Sequence, residues 1–361
     1  MANIADLTTM DIISFILTAF AIFTIVITLV PFLRWDYWWV RVFDFPRIQI
    51  ASLQFAVLTL WFVIAGWHWD AHIILPILVL SCFVYQIFKI FKYTPFAKPE
   101  VMRNKNRSEE NDIAILVSNV LAPNRNAGPL LDLISQKSPD IILTLESDAW
   151  WGSELKCLQT DYPHFIEIPL DNLYGMHLYS KLELSDCQVK YLISEEVPSI
   201  HSSVRLRSGK IISIHCLHPK PPGPSEGGKS TNRDAELLLV AKSIENSSEK
   251  VLVFGDLNDV AWSRTTRLFQ KISGLLDPRV GRGFFNTYNA NWFMMRWPLD
   301  HIFHSNDFTL NEIRKLPHIG SDHFPIYANL HYSNNAKKRQ EKHEADQEES
   351  DWADEKIKKA L

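Results

Sequence analysis

Three long apolar runs occupy the first 95 residues and leave that part of the chain one way to fold. Residues 12–33 make 22 positions without a charge, 48–69 make 22 without Asp, Glu, Lys or Arg, and 71–88 make 18. A helix needs about 20 such residues to cross the hydrocarbon core of a bilayer. Backbone groups in hydrocarbon find no water, so a run of this kind satisfies its own hydrogen bonds as a helix. Residues 1–95 are therefore expected to form a membrane anchor of three transmembrane helices. Trp35, Trp38, Trp39, Trp61, Trp67 and Trp69 stand near the ends of the runs, where aromatic rings collect at the headgroup level. Residues 1–11 contain no Lys or Arg, so a cleaved signal peptide is not expected. Arg34, Arg41 and Arg47 follow the first run, and Lys89, Lys92, Lys98, Arg103, Lys105 and Arg107 follow the third. With three crossings these stretches share one side, which the positive-inside rule makes cytoplasmic, together with the domain that follows. Gly66, His72, Pro76 and Gln86 interrupt the runs singly or near an end. That pattern reads as interfacial placement rather than a transport path.

Residues 96–110 are polar and charged and read as a linker. Over 111–333 short β-branched runs alternate with helical patterns. Strands are expected at 112–118, 140–145, 164–168, 176–180, 187–193, 201–207, 210–217, 250–254, 299–304, 309–315 and 324–331. Helices are expected at 127–137, 149–158, 231–246 and 263–273, the last with Ser263 as its N-cap. "RSGK" at 207–210 joins two alternating runs as a hairpin. Many strands, few helices and a hairpin point to an α/β sandwich with mixed sheets rather than a doubly wound parallel fold. Residues 334–361 form a charged tail, read as a solvated helix or a disordered segment. Cys82, Cys157, Cys187 and Cys216 are scattered, with no CxxC pair, so neither a disulfide framework nor a zinc site is expected.

Within 111–333 a series of polar residues follows apolar runs, where a buried strand hands a side chain to the rim of a sheet. Asn119 ends "ILVSN", Glu146 follows "IILTL", and His218 opens "HPKPP". Asp256 and Asn258 stand in "VLVFGDLND", Asp300 in "PLDHIF", and Asp322 beside His323 in "GSDHFPI". Gly255 permits a tight backbone where its strand ends. Asp256 and Asn258, two apart, point the same way if the chain stays extended. The alternative for that pair is an Asp–Asn turn. A histidine works best near neutral pH when a carboxylate fixes its tautomer, and Asp300 is the candidate orienter of His323. Asp148 competes with Glu146, and His215 with His218. Hard carboxylate oxygens suit Mg²⁺, and attack on an anionic phosphate needs charge neutralisation and an oriented water.

These residues, in this order, resemble the endonuclease/exonuclease/phosphatase superfamily, which includes DNase I-like nucleases, sphingomyelinases and inositol-phosphate phosphatases. The resemblance covers about 111–333 and is strongest in "GDLND", "LDHIF" and "SDHFP". Apolar runs followed by such a domain look like a bacterial membrane-anchored branch that includes teicoplanin-resistance-type proteins, implicated in hydrolysing undecaprenyl pyrophosphate. The resemblance implies a four-layered α-β-β-α sandwich of the DNase I-like kind, a divalent metal (Mg²⁺, with Mn²⁺ as alternative) and a bacterial inner-membrane location. Carried over by position, Glu146 is the principal metal ligand, with Asn119 beside it and Asp322 completing the site. His218 stabilises the phosphate, Asp256 orients the nucleophilic water, Asn258 binds phosphate, and Asp300 pairs with His323. His218 follows Leu217, where many members carry a small hydroxyl residue. In the lipid-pyrophosphate branch the domain faces outward, against the Lys and Arg distribution here.

Three functions compete: a phosphohydrolase or phosphodiesterase with a phosphorylated, lipid-linked or other small substrate; a nuclease; and a non-catalytic binding or scaffold protein. Residues 111–333 hold 21 Lys and Arg against 25 Asp and Glu. Non-specific nucleic-acid affinity comes from basic contacts to phosphates, so long nucleic acid is disfavoured as a partner. A bilayer tether favours a lipid or membrane-proximal target. The aromatic and Met-rich stretch 284–298 reads as core, as a lipid contact or as a base-stacking surface.

Overall fold

The computed structural model describes residues 9–65, 73–104, 108–224 and 226–361. The chain divides into two units, Met1–Lys92 and Tyr93–Leu361.

The first unit is helical: α1 (Thr9–Leu29), the short α2 (Trp38–Arg41), α3 (Arg47–Ala65) and α4 (Ile74–Phe91). Two stretches, Ile12–Leu33 and Ile74–Phe91, are long and apolar enough to cross a membrane. A third span exists if Trp38–Asp44 and Arg47–Val63, bent by 71°, count as one. Gly66, Trp67, Trp69 and His72 lie outside the described residues. Leu17, Ala21, Val57 and Val79 form a small apolar core. Gln86 departs from its expected interfacial place. It is fully buried, donates to Thr28 Oγ1 at 3.0 Å and accepts from Arg47 Nη1 at 2.8 Å. Gln54 also donates to Thr28 Oγ1 at 3.0 Å. An amide among apolar helices is stable only with such partners, so Gln86 joins α1, α3 and α4.

Among its described residues the second unit carries eleven strands, one for each expected run: β1 (Asp112–Asn119), β2 (Ile141–Leu145), β3 (His164–Ile168), β4 (Met176–Ser180), β5 (Leu184–Lys190), β6 (Ser199–Arg205), β7 (Ile211–Leu217), β8 (Val251–Asp256), β9 (Asp300–His304), β10 (Phe308–Lys315) and β11 (Ile326–Tyr332). They form a six-stranded sheet, β10-β11-β1-β2-β4-β3, and a five-stranded sheet, β5-β6-β7-β8-β9. Strand alternation builds the layers. Ile113, Ile115 and Val117 of β1 meet Leu252 and Phe254 of β8 in the core between the sheets. Ala114 and Leu116 turn the other way, onto α5 (Gly128–Lys137) and α6 (Ala149–Leu155). Val251 and Val253 turn onto α7 (Thr231–Ile244) and α8 (Arg264–Ser273). The result is the expected α-β-β-α sandwich. Ser263 caps α8 by accepting from Thr266 N.

Both flanks of this unit extend further than the charge pattern indicated. Tyr93 is buried and donates to Ala261 O at 2.6 Å. Val101 is buried, and Met102 N donates to Gln340 Oε1 at 2.6 Å. The described part of the expected linker is therefore packed structure. The charged tail contains α9 (Gln347–Ala360), opened by a capping box between Asp346 and Glu349. Ala353, with Trp352 and Ile357, packs against the α7–α8 layer, and Lys356 Nζ reaches Asp234 Oδ2 at 3.2 Å. Trp352, Ala353, Lys356 and Ile357 share one narrow helical stripe, too sparse to stand out in so charged a stretch.

Candidate active site

β1 runs parallel to β2, and β7 parallel to β8. Each pair's carboxyl ends therefore fall together, and the Asn119–Asp256 contact sets both pairs at one end of the sandwich. Asn119 and Asp256 are the last residues of β1 and β8, and Glu146 and His218 directly follow β2 and β7. The antiparallel β9 starts where β8 stops, which sets Asp300 opposite Asp256. A Cβ on Gly255 would lie 2.0 Å from Leu217 O, so only glycine lets β7 and β8 approach this closely beside the site.

Asp256 is the hub. Its Oδ2 lies 3.3 Å from Asn119 Nδ2, 3.5 Å from His323 Nε2 and 4.0 Å from His218 Nε2. His323 Nδ1 meets Asp300 Oδ2 at 2.8 Å, so the expected orienting pair is present. Ser321 Oγ donates to Asn119 O at 2.8 Å and accepts from His323 N at 3.0 Å, tying the "SDH" turn to β1. Asp322 is half-buried and adds negative field at both Glu146 and His323.

Burial raises the Glu146 carboxyl to about 7, and Asn119 and the charge on His323 offset only part of it. Burial opposes charge on His323, but Asp300 and Asp256 outweigh it and push the imidazole up to about 10. Burial would also raise Asp256, yet His323 and His218 hold it below its usual value. Asp300 is raised, by burial first, with His323 opposing. Burial keeps His218 below its usual range.

Asn119 stands beside Glu146 as expected, and Asn258 takes the turn rather than the extended alternative. Asn119 turns its donor end to the carboxylates, giving Nδ2 to Glu146 Oε1 at 2.8 Å, while its Oδ1 accepts from Leu121 N. It orders the acids rather than offering them an oxygen. Asn258 is not extended from Asp256: its φ is 51°. Its N–H closes a turn onto Asp256 Oδ1 at 2.9 Å, and Nδ2 donates to Pro219 O at 3.0 Å. The Asp–Asn turn and the site are thus one feature. Asp148 is spent elsewhere, capping α6 and pairing with Arg125 at 2.6 Å.

His215 is likewise engaged away from the site. Its Nδ1 lies 2.6 Å from His201 Nδ1. Ser199 Oγ donates to Lys190 O and so accepts from His201 Nε2, leaving His215 Nδ1–H to donate to His201. Burial, then the nearby His215, pushes His201 down to about 3, and burial pushes His215 to about 4. Both are held neutral when folded, so their stabilisation is complete above about pH 6.5 and is lost as pH falls towards 4. Melting temperature is expected to fall less between pH 7 and pH 5 in a His201→Gln, His215→Gln chain than in the wild type. An unchanged slope would refute this account.

Residue-type reasoning passed over several supports. Tyr288 lays its ring 4.9 Å from that of His323, and Thr287 Oγ1 accepts from Asp300 N at 3.3 Å. Arg279 is buried, bound to Asp277 and to Asp300 O. Arg233 donates to Asn258 O at 2.7 Å. Buried arginines carry no period or motif, so their partners become visible only in the fold.

A divalent cation fits this donor set. Glu146 Oε2 is buried without a partner among the described residues, and burial raises its carboxyl. Asp256, Asp300 and His323 also offer ligand atoms within 4.8 Å of one another.

The Endonuclease/Exonuclease/phosphatase family matches residues 116–323. No curated protein matches the chain. Among solved structures, the catalytic domain of human Nocturnin with bound sulfate is 16% identical, with TM-score 0.52, covering 65% of this chain and 100% of that one. Humanized D. rerio TDP2 carrying 14 mutations is 16% identical, with TM-score 0.51, covering 61% and 99%. A family protein from Bacteroides thetaiotaomicron is 17% identical, with TM-score 0.50, covering 62% and 96%. Identities this low establish the shared fold alone.

Proposed function

We propose, from the premise that this chain belongs to the endonuclease/exonuclease/phosphatase family, that it hydrolyses a phosphate ester or anhydride by direct attack of water. The observation that carries the reading is the buried Asp256–His323–Asp300 array beside Glu146, whose Oε2 has no partner among the described residues. Glu146, with Asp322 near it, would hold Mg²⁺, which neutralises phosphate charge when bound. Asp256, held ionised, orients the attacking water and receives its proton. His323, held protonated by Asp300, donates to the phosphoryl group as negative charge grows on it. His218 sits across Asp256 and donates to a second phosphate oxygen. Asn258 anchors Pro219 and so fixes the turn that carries His218. Water forms the new P–O bond and the ester oxygen leaves, with no covalent bond to the protein.

The apolar helices of the first unit support a membrane location, and the Lys and Arg distribution supports a cytoplasmic catalytic face. The net charge of −4 over 111–333 supports a small or lipid-linked phosphate over long nucleic acid. The test is turnover of bis(p-nitrophenyl) phosphate, an isoprenyl pyrophosphate and DNA by the detergent-purified full chain. Hydrolysis of either small substrate is expected with Mg²⁺, lost in EDTA and restored by Mg²⁺ or Mn²⁺. Equal turnover in EDTA would remove the metal from the reaction.

A further inference from the structure

The loop between α8 and β9 carries an exposed apolar tip. Trp292, Phe293 and Met294 are 67%, 79% and 70% exposed, so this stretch is not core. The tip is held in shape from below. Thr287 N donates to Trp297 O at 3.0 Å, and the rings of Tyr288 and Trp297 stack at 6.0 Å. Within the loop, Met295 N donates to Trp292 O at 3.1 Å, and Arg296 Nη2 to Ala290 O at 3.0 Å. Its base is fastened to the catalytic residues: Ala290 N donates to Asp322 O at 2.6 Å, and Tyr288 packs on His323.

Cations gather beneath the apolar tip. The Arg296 guanidinium lies 5.4 Å from the Phe293 ring and 4.9 Å from that of Phe324. Lys315 Nζ lies 4.0 Å from the Phe324 ring. An open cavity of about 470 Å³ is lined by Arg282, Arg296, Lys315 and three phenylalanines, Phe284, Phe285 and Phe293, with no carboxylate.

We propose that this loop is a membrane-docking tip, which seats Trp292, Phe293 and Met294 in the headgroup–acyl boundary of an anionic bilayer and draws the active site to phosphates carried there. The lipid-borne substrate in this statement rests on the hydrolase reading above. Aromatic side chains favour that boundary, and cations just above it attract anionic headgroups. A cavity lined by cations beside an apolar tip complements an anionic lipid surface by charge. The chain also enters this unit at Tyr93, directly after α4 ends at Phe91 with the cap Lys92. A short tether to a spanning helix keeps a weak lipid contact at high effective concentration.

The test uses the full chain in lipid nanodiscs. Phe293→Cys carries an environment-sensitive fluorophore, with the exposed Cys157 and Cys187 replaced by serine. Doxyl lipids labelled at a shallow depth should quench it about twofold or more in discs containing about 30% phosphatidylglycerol, and less in phosphatidylcholine alone. No quenching in either disc would overturn the proposal. A Trp292→Ser, Phe293→Ser chain should lose about tenfold in turnover of isoprenyl pyrophosphate in the discs and less than about twofold on bis(p-nitrophenyl) phosphate. Equal loss on both, or no loss on the lipid, would also overturn it. A wild-type chain that is quenched but hydrolyses neither compound would sink the hydrolase reading and leave the docking tip standing.

Discussion

A His323→Gln chain is expected to lose about 10³-fold in turnover with Mg²⁺ present, the middle of the range for removing a positioned proton donor. Glutamine keeps a polar group for Asp300, so the far-ultraviolet spectrum and chain yield should match the wild type. A pH signature separates this role from simple damage. Asp300 and Asp256 push His323 up to about 10, so the wild-type rate should hold through neutral pH and decline as pH rises through that value. Asp300→Asn removes the nearer carboxylate, and its alkaline decline should begin at lower pH. A His323→Gln chain within about tenfold of the wild-type rate, or an Asp300→Asn profile that does not move, would refute the assignment.

The same array shows how much of the site was legible beforehand. Asn119, Glu146, His218 and Asp256 each end or follow an apolar run, and a strand that buries both faces has few other reasons to end in Glu or His. Parallel neighbours then bring those ends together, because β1–α5–β2 and β7–α7–β8 both run forward. Connectivity thus brings Asn119 beside Glu146 and His218 beside Asp256, and the packing of the two sheets joins the pairs. Sequence order did not predict which atoms face inward. Asn119 and Asn258 look interchangeable as amides in a string of letters. One gives its N–H groups to Glu146 and Asp256, and the other gives Nδ2 to Pro219 O. Only backbone dihedrals, such as the φ of 51° at Asn258, decide that.

The packed flanks were hidden for a different reason. Their contacts come from a few residues each: Tyr93 and Val101 before the first strand, and Trp352 and Ala353 after the last. Charged neighbours solvate the remainder, so composition averages read as linker and tail. Gln86 was hidden because a lone amide in an apolar run carries no sign of its partners, which come from α1 and α3. In each case the deciding contact is between residues far apart in sequence, where periodicity and composition hold no information.

Glu146 gives the second large effect, and its sign is unusual. Its backbone is left-handed, with φ of 54°, a conformation that costs a non-glycine residue of order 1 kcal/mol or more. Its carboxyl stands near 7 when folded, against an ordinary value of 4.5. An acid raised by folding costs nothing below its unfolded value, and the cost grows as pH rises through the folded value. At pH 8, without metal, the difference amounts to about 3 kcal/mol. Glu146→Gln removes that charge and keeps an oxygen for Asn119. In EDTA the variant should therefore melt higher than the wild type at pH 8, with the gap closing as pH falls towards 4.5. Adding Mg²⁺ should raise the wild type and leave the variant nearly unmoved, because binding to the folded state alone shifts melting by mass action. Turnover of the variant should be about 10³-fold down or lower. A stabilised, metal-blind and inactive Glu146→Gln chain is the combined outcome required of a first metal ligand. A variant that melts lower in EDTA, or that still answers to Mg²⁺, would move the cation to the Asp256–Asp300–His323 group instead.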